Sequence, residues 1–518
     1  MSFDLEKESV SVYEPLKAAN LKTVVNADII VPDTKPDVIN ILEVNALPTI
    51  REKYVQKDKI CVSGMLVYTV LYSGDTENGA VRSIRYKMPF SEQIELLGAR
   101  EDMSYYAECD IAHTEYRIEN SRKISVRSVL SFNCGAAMRK RVLAVSNVSG
   151  EQEIPVRHTK VKVLDMEACS LNVFSVSDSF RIPESGSEID EILKTDIKIN
   201  KNEQKIMNGK LVVKGSLLCD TLYTIDGEIY HIENEIPYTE VIDADDVSPS
   251  MHTEVNYKIY DAEYDQSTSE EGNQININVG IEVLTKAFSE NEYQVVSDVY
   301  CPDYEIDVSE ENVIVYSVDD SFREAYSVNE SLCLSESSPS ILKVYNIVAS
   351  PVLDNVVANV GYIQHDGHLD VKILYLSDSQ SRPVCSANKQ LPFSIRVNSS
   401  KTDSDTYADS IVELEHISYV LKSDKCLEIR ASLDCCGKVT SKHSTSFITD
   451  ISLLSEVPLK KKKQAGVTIY FADQNETLWD IAKRYNTTEE EIALINGIEQ
   501  SAPLRHRQQL LIPKRVII

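Results

Sequence analysis

The sequence predicts a mainly β protein: three tandem β-rich repeat domains, followed by a small module of strand, helix, helix and strand. Three observations carry this. Tyr (26) far outnumbers Phe (10) and Trp (1), and Val, Ile and Thr are plentiful, a mix that fits a pleated, half-buried surface. A set of ordered anchors recurs three times, its glycines 151 and 152 residues apart. Beyond residue 467 the apolar period changes from alternation to helical spacing.

A chain of 518 residues is too long for one hydrophobic core and implies several domains. Its 42% hydrophobic and 26% charged content is ordinary for a protein that buries real cores. The formal net charge of −28 excludes nucleic acid as a partner class, because phosphate neutralisation draws on Lys and Arg. Residues 459–518 hold 10 Lys/Arg against 7 Asp/Glu. A mildly basic tail thus follows an acidic body, which suits protein partners or a surface. Eleven cysteines, an odd number without metal-ligand spacing, point to a reducing compartment. Cys61, Cys219 and Cys426 lie in or beside strand-like runs, where a thiol acts as a small hydrophobe. The start Met1-Ser2-Phe3-Asp4-Leu5-Glu6 has neither the basic nor the apolar part of an export signal. No apolar run approaches a membrane span, so the expected location is the cytoplasm, with no integral membrane segment.

The first anchor of each repeat is a glycine-centred strand. Ser63-Gly64-Met65-Leu66 leads to Leu71-Tyr72, Lys214-Gly215-Ser216-Leu217 to Leu222-Tyr223, and Asp366-Gly367-His368-Leu369 to Leu374-Tyr375. The second anchor is apolar–Pro–aromatic–hydroxyl: Met88-Pro89-Phe90-Ser91, Ile236-Pro237-Tyr238-Thr239 and Leu391-Pro392-Phe393-Ser394. These prolines fit strand starts or edges, where no ladder donor is lost. The third anchor is Tyr116, Tyr264 and Tyr419. After it comes near-strict alternation, clearest in Ile275, Ile277, Val279, Ile281 and Val283, the mark of a sheet with one buried and one wet face. Ahead of the glycine strand a short helix is expected: Pro32 to Leu42 resembles Pro183 to Leu193, each ending Ile-Leu, with a shortened copy around Ser338 to Leu342. Each unit is long enough to bury its own core. The expected boundaries are 1–147, 148–300 and 301–457 for the repeats, 458–466 for a basic linker and 467–518 for the last module.

On the proline-to-Ile-Leu stretch and the Gly…Leu-Tyr strand, the repeats resemble the SPOCS-type domains of endospore formers, a family known mainly through spore-coat proteins. The residues themselves offer no catalytic group. His365-Asp366-Gly367-His368 could suggest a metal, but two His and one Asp without distant ligands rarely suffice, and Gly367 aligns with Gly64 and Gly215, whose neighbours include no His. Asp434-Cys435-Cys436-Gly437 reads as packed thiols at a strand end. Acidic pairs such as Glu270-Glu271 and Glu310-Glu311 read as solvated surface. No phosphate loop, G-x-S-x-G or H-E-x-x-H is present. No catalytic residue, metal ligand or cofactor is expected.

The run Lys460-Lys461-Lys462-Lys463 before Gly466 repels itself and reads as a tether. Val467 to Phe471 is then a strand. Leu478, Ile481, Ala482 and Tyr485 fall on one helical stripe, and Thr488 with Glu491 forms a capping box for a second helix. Asn496-Gly497 supplies a left-handed cap, and Leu510-Leu511-Ile512-Pro513 returns as a strand. The run Asn475-Glu476-Thr477-Leu478-Trp479-Asp480-Ile481-Ala482, then Ile495-Asn496, then Gln509 to Pro513, is similar to the LysM domain, a βααβ module best known for binding peptidoglycan or chitin. The resemblance places a ligand groove between Gln474, Asn475, Glu476, Thr477, Leu478 and Gly497, Ile498, Glu499, Gln500. Asn475-Glu476 and Arg507-Gln508-Gln509 depart from the family's Gly-Asp and Pro-Gly-Gln, making a bulkier groove entrance that weighs against a glycan. For Trp479, core packing and partner binding are both open.

Three acidic β domains and this module together resemble the SipL-type family of spore-coat morphogenetic proteins. That resemblance implies a non-catalytic scaffold bound to the coat morphogenetic ATPase SpoIVA at the forespore surface. The expected partner-binding residues are Asn475, Glu476, Thr477, Leu478, Trp479, Ile498 and Glu499, with cell-wall or cortex peptidoglycan as the alternative ligand.

Overall fold

The structure, a computed structural model, describes all residues except 1–2, 19–20, 77–79, 151–153, 183–187, 246, 270–271, 381, 403–405, 456–458, 460–465, 500–503, 505 and 514–518. The lysine run 460–463 and the pair Glu270-Glu271 thus lie outside the described residues. Unit 1 runs β1 (Asp4–Lys17), β2 (Leu21–Ile30), β3 (Val38–Gln56), β4 (Lys59–Gly74), β5 (Val81–Glu95), β6 (Ser104–Asn120) and β7 (Lys123–Ser149). Unit 2 runs β8 (Val156–Arg181), β9 (Glu191–Met207), β10 (Lys210–Ile225), β11 (Glu228–Asp243), β12 (His252–Ser269) and β13 (Gly272–Val299). Unit 3 runs β14 (Ile306–Cys333), β15 (Ile341–Asn359), β16 (Tyr362–Ser377), β17 (Val384–Asn398), β18 (Thr406–Ser423) and β19 (Cys426–Leu453). The last module is β20 (Val467–Ala472), α1 (Leu478–Tyr485), α2 (Glu489–Asn496) and β21 (Gln508–Pro513), the βααβ order read from the sequence.

Each unit is a sandwich of two antiparallel sheets. One is a meander: β3-β4-β5, β9-β10-β11 or β15-β16-β17. In the other, the long final strand lies between the unit's first strand and its own predecessor, as in β8-β13-β12 and β14-β19-β18. Unit 1 follows the same plan with its first strand divided into β1 and β2. Alternation puts one face of each sheet inward. Leu66, Tyr68 and Val70 of β4 therefore meet Ile124, Val126 and Leu130 of β7 in one core, and units 2 and 3 repeat this arrangement.

The sequence anchors acquire a physical reason here. Gly64 lies opposite Phe90, Gly215 opposite Tyr238 and Gly367 opposite Phe393, so the first two anchors are cross-strand neighbours. A Cβ on these glycines would sit 2.1, 2.2 and 2.3 Å from a carbonyl oxygen of the adjoining strand and within 2.8 Å of the aromatic ring. Only glycine lets the ring lie flat against the backbone. The Leu-Tyr pair splits by alternation. Tyr72, Tyr223 and Tyr375 enter their own unit's core, whereas Leu71, Leu222 and Leu374 meet in a cluster common to all three units.

Two further shared clusters hold the outer halves of the long strands. Val12, Val163 and Val315 meet in one, and Val145, Val296 and Ile448 in the other. Equivalent residues are spaced by the same 151 and then 152 positions as the anchor glycines. The tandem units thus close into a pseudo-threefold ring, with unit 3 packed back on unit 1.

Among the described residues, the short helix expected ahead of each glycine strand is not formed. Val38 opens β3, Glu191 opens β9 and Ile341 opens β15; only residues 183–187 of the three stretches lie outside the described residues. Register shifts at Val38/Asn40 and Ile41/Glu43 are β-bulges, and they put the buried side chains at Val38, Ile41, Leu42 and Val44. Bulged alternation has here mimicked a helical period. Nor is the third copy shortened: Tyr345 stands where Leu42 and Leu193 stand in the shared cluster, and Leu342 is exposed. Nor is Cys426 a packed free thiol: it is disulfide-bonded to Cys333, its neighbour in the β14–β19 register. Cys61 and Cys219 are buried free thiols. No helix among the described residues is long and apolar enough to cross a membrane.

Candidate partner-binding site on the C-terminal module

The module's core forms because its helical stripe and strand alternation converge. Leu478, Ile481 and Ala482 of α1 pack with Ile492 and Ala493 of α2 and with Leu510 and Ile512 of β21. Thr477 caps α1 by accepting from the Asp480 N–H, and Asn486 closes it in the left-handed region. Thr488 and Glu491 form the reciprocal capping box on α2, and Gly497 ends it at φ 63°. Asn496 ties helix to sheet: its amide donates to Leu511 O at 2.7 Å, and its Oδ1 accepts from the Leu511 N–H at 2.7 Å.

The loop ahead of α1 is held by its own side chains. Glu476 accepts from Tyr470 Oη at 2.9 Å and from the Asp473 N–H at 2.9 Å, with Arg484 Nη1 at 3.4 Å. Burial alone would raise this carboxyl, but those donors outweigh it and hold it below the usual carboxylate range. Asn475 adopts a positive φ of 71° and donates its N–H to Leu504 O at 2.9 Å. Ile498 is half-buried against the cluster that contains Leu504, and Glu499 is exposed. Of the residues picked from the sequence, Asn475, Glu476 and Thr477 thus organise one loop, Ile498 and Glu499 lie in the other, and Leu478 belongs to the core.

Trp479 points elsewhere. It is 4% exposed and meets Tyr300, at the end of unit 2, edge to face with ring centroids 5.0 Å apart. Its Nε1–H donates to Asp298 Oδ2 at 2.7 Å, and Lys483 Nζ donates to Asp298 Oδ1 at 2.7 Å. Tyr300 Oη donates to Thr487 O at 3.0 Å, and the Arg157 guanidinium lies 5.8 Å from the indole. Sequence reasoning missed Asp298, Tyr300 and Arg157. The one available signal was comparison across the repeat offset, where these positions read Asn147, Ser149 and Glu6 in unit 1 and Asp450, Ser452 and Ser309 in unit 3.

The other sequence candidates do not converge on a site. His365 is buried, with Nε2 2.9 Å from Ser410 Oγ, while His368 lies 2.8 Å from Asp354 on the strand's other face. Burial pushes the Cys435 thiol up to about 12, away from a reactive thiolate. Asp220, His231 and Glu233 do approach one another, but Asp220 is already paired with His231 at 2.5 Å and with the Asn346 amide at 2.7 Å. A groove of about 690 Å³ between units 1 and 2 is crossed by the Lys53–Glu282 ion pair at 2.9 Å.

Compared with known families, the SipL SPOCS-domain model matches residues 37–119, 188–267 and 340–422, and the LysM-domain model matches residues 473–513. The three former matches run from the opening of the meander through the strand that follows it, leaving out most of the long paired strands. No curated protein and no solved structure gave a match.

Proposed function

We propose, from the premise that this chain belongs to the SipL type, with three SPOCS domains and one LysM domain, that it is a non-catalytic adaptor of endospore coat assembly. Both parts are non-catalytic domain families. In this reading the partner is the coat morphogenetic ATPase SpoIVA, met in the mother-cell cytoplasm at the forespore surface and bound chiefly through residues 467–518. The observation that supports it most is the pairing of an acidic, closed ring of three repeats with one C-terminal module whose two loops leave Asn475 and Glu499 exposed. Joining such modules in one chain raises the effective concentration of each at a surface of repeated subunits. The test is capture of the ATPase by the full chain and by a chain lacking residues 459–518. Loss of capture is expected on truncation, and undiminished capture overturns the module's role.

The second reading is a peptidoglycan-binding protein, supported by the LysM match alone. Against it stands Glu476, whose carboxylate is committed to three donors in the loop that opens the groove. Saturable co-sedimentation of the full chain with purified peptidoglycan, abolished by removing residues 459–518, would establish it.

A further inference from the structure

All three units end their long strands in the same way. A bulge falls at Ser146, Ser297 and Thr449, and each hydroxyl donates across to a carbonyl, at 3.1 Å to Glu6 O, 3.1 Å to Arg157 O and 3.2 Å to Ser309 O. The bulge re-aims the residue after it. Backbone geometry therefore offers three equivalent seats, yet the C-terminal module occupies only the one in unit 2. The side chains decide this. Unit 2 alone follows its bulge with Asp298-Val299-Tyr300, opposite Arg157. In unit 1 Asn147 and Ser149 stand in place of the carboxylate and the aromatic. In unit 3 the aromatic is Ser452, and Asp450 is engaged by Lys7 at 3.1 Å.

We infer that the face of α1 carrying Trp479 and Lys483 is a recognition site for a strand end of the form Asp-x-Tyr, filled in cis by Asp298-Val299-Tyr300. The carboxylate takes one N–H from the indole and one from the ammonium. The tyrosine ring covers the indole edge to face and its hydroxyl finds the Thr487 carbonyl. An aspartate alone would leave the indole face wet, and a tyrosine alone would leave the indole N–H and Lys483 without their shared acceptor. The inference goes beyond the adaptor reading and holds whichever partner the groove loops take. Its consequence is that a protein presenting an acidic–x–tyrosine strand end competes with unit 2 for the module.

Trp479 is the chain's single tryptophan, so its emission reads this site in the intact protein. Native chain is expected to give blue-shifted emission poorly quenched by acrylamide. D298N/Y300A in the full chain is expected to shift it to the red and raise quenching severalfold, with far-ultraviolet dichroism unchanged. K483Q, made from the module's side, is expected to act less than additively with D298N, because both remove one interaction. Unchanged emission in D298N/Y300A overturns the docking. Adding a peptide of residues 294–300 to the D298N/Y300A chain is expected to restore protected emission. Failure at millimolar peptide, or equal restoration by the peptide with Asn for Asp298, overturns the recognition rule.

Discussion

Lys194 Nζ lies 3.0 Å from Glu43 Oε2, across the boundary between units 2 and 1. The same ammonium donates to Asn346 Oδ1 of unit 3 at 3.2 Å and forms an ion pair with Asp196 at 2.7 Å. Glu43, Lys194 and Asn346 occupy one position in three repeats, next to the shared leucine cluster. Three identical charged residues there would repel. An acid, a base and an amide instead meet through the Lys194 ammonium and so help fix which unit neighbours which, the registry role best attested for buried polar groups.

K194M is therefore expected to destabilise the ring by about 3–5 kcal/mol, the range for a buried charge left without its partner. Burial opposes the Lys194 charge, but Asp196 and Glu43 outweigh it and hold its pKa above the ordinary lysine value, so the ammonium persists across the usable pH range. K194M/E43Q should recover part of the loss, since one of the two orphaned carboxylates is then removed. Urea unfolding measures both. A K194M midpoint indistinguishable from that of the native chain would show that the triad does not organise the ring.

G215A is expected to cost about 1–3 kcal/mol, the range for overpacking. Its Cβ would meet Asn200 O at 2.2 Å and the Tyr238 ring at 2.7 Å. The control is G280A, in a strand interior whose nearest neighbour would be 3.5 Å away, an ordinary contact. Thermal melting of the two variants side by side separates a steric effect from the loss of glycine itself; equal melting points would contradict it.

E476A is expected to weaken the C-terminal module by about 1–2 kcal/mol, at the low end for hydrogen bonds to a charged acceptor because the carboxylate is partly exposed. The Asp473 N–H and Tyr470 hydroxyl lose their acceptor, while Trp479 keeps Asp298. Amide exchange around Asn475 should accelerate with tryptophan emission unchanged. A red shift in that emission would mean that the loop and the docking face are coupled.

The units and the module were legible in the sequence because each anchor has a local cause: a ring over a glycine, a Leu-Tyr pair divided by alternation, a capping box at Thr488. What did not read through was closure. Leu71, Leu222 and Leu374 look like ordinary core residues of separate domains, and nothing local in their strands says that they face one another. The bulges of β3 hid a strand behind helical spacing at Val38, Ile41 and Leu42. The seat for Trp479 was invisible for a similar reason: Asp298 and Tyr300 lie 181 and 179 residues away, and only comparison among units marks them as different.

H365V is expected to stabilise unit 3 at acid pH and to flatten its pH dependence. His365 is buried at a core position that is Val62 in unit 1 and Val213 in unit 2. Burial holds its pKa below the usual histidine value of about 6.5, although an interaction with the Ile395 backbone and the Asp366 charge pull the other way. As the pH falls below about 6.5 the unfolded chain takes up a proton that the folded chain refuses, so stability is lost in that direction and is fully present above it. Valine removes both the proton site and the cost of burying an imidazole. Urea midpoints measured from pH 7.5 down to 5 should therefore converge at the upper end, once any constant packing difference is subtracted, and separate at the lower. Parallel curves throughout would mean that His365 does not govern the acid sensitivity of this unit.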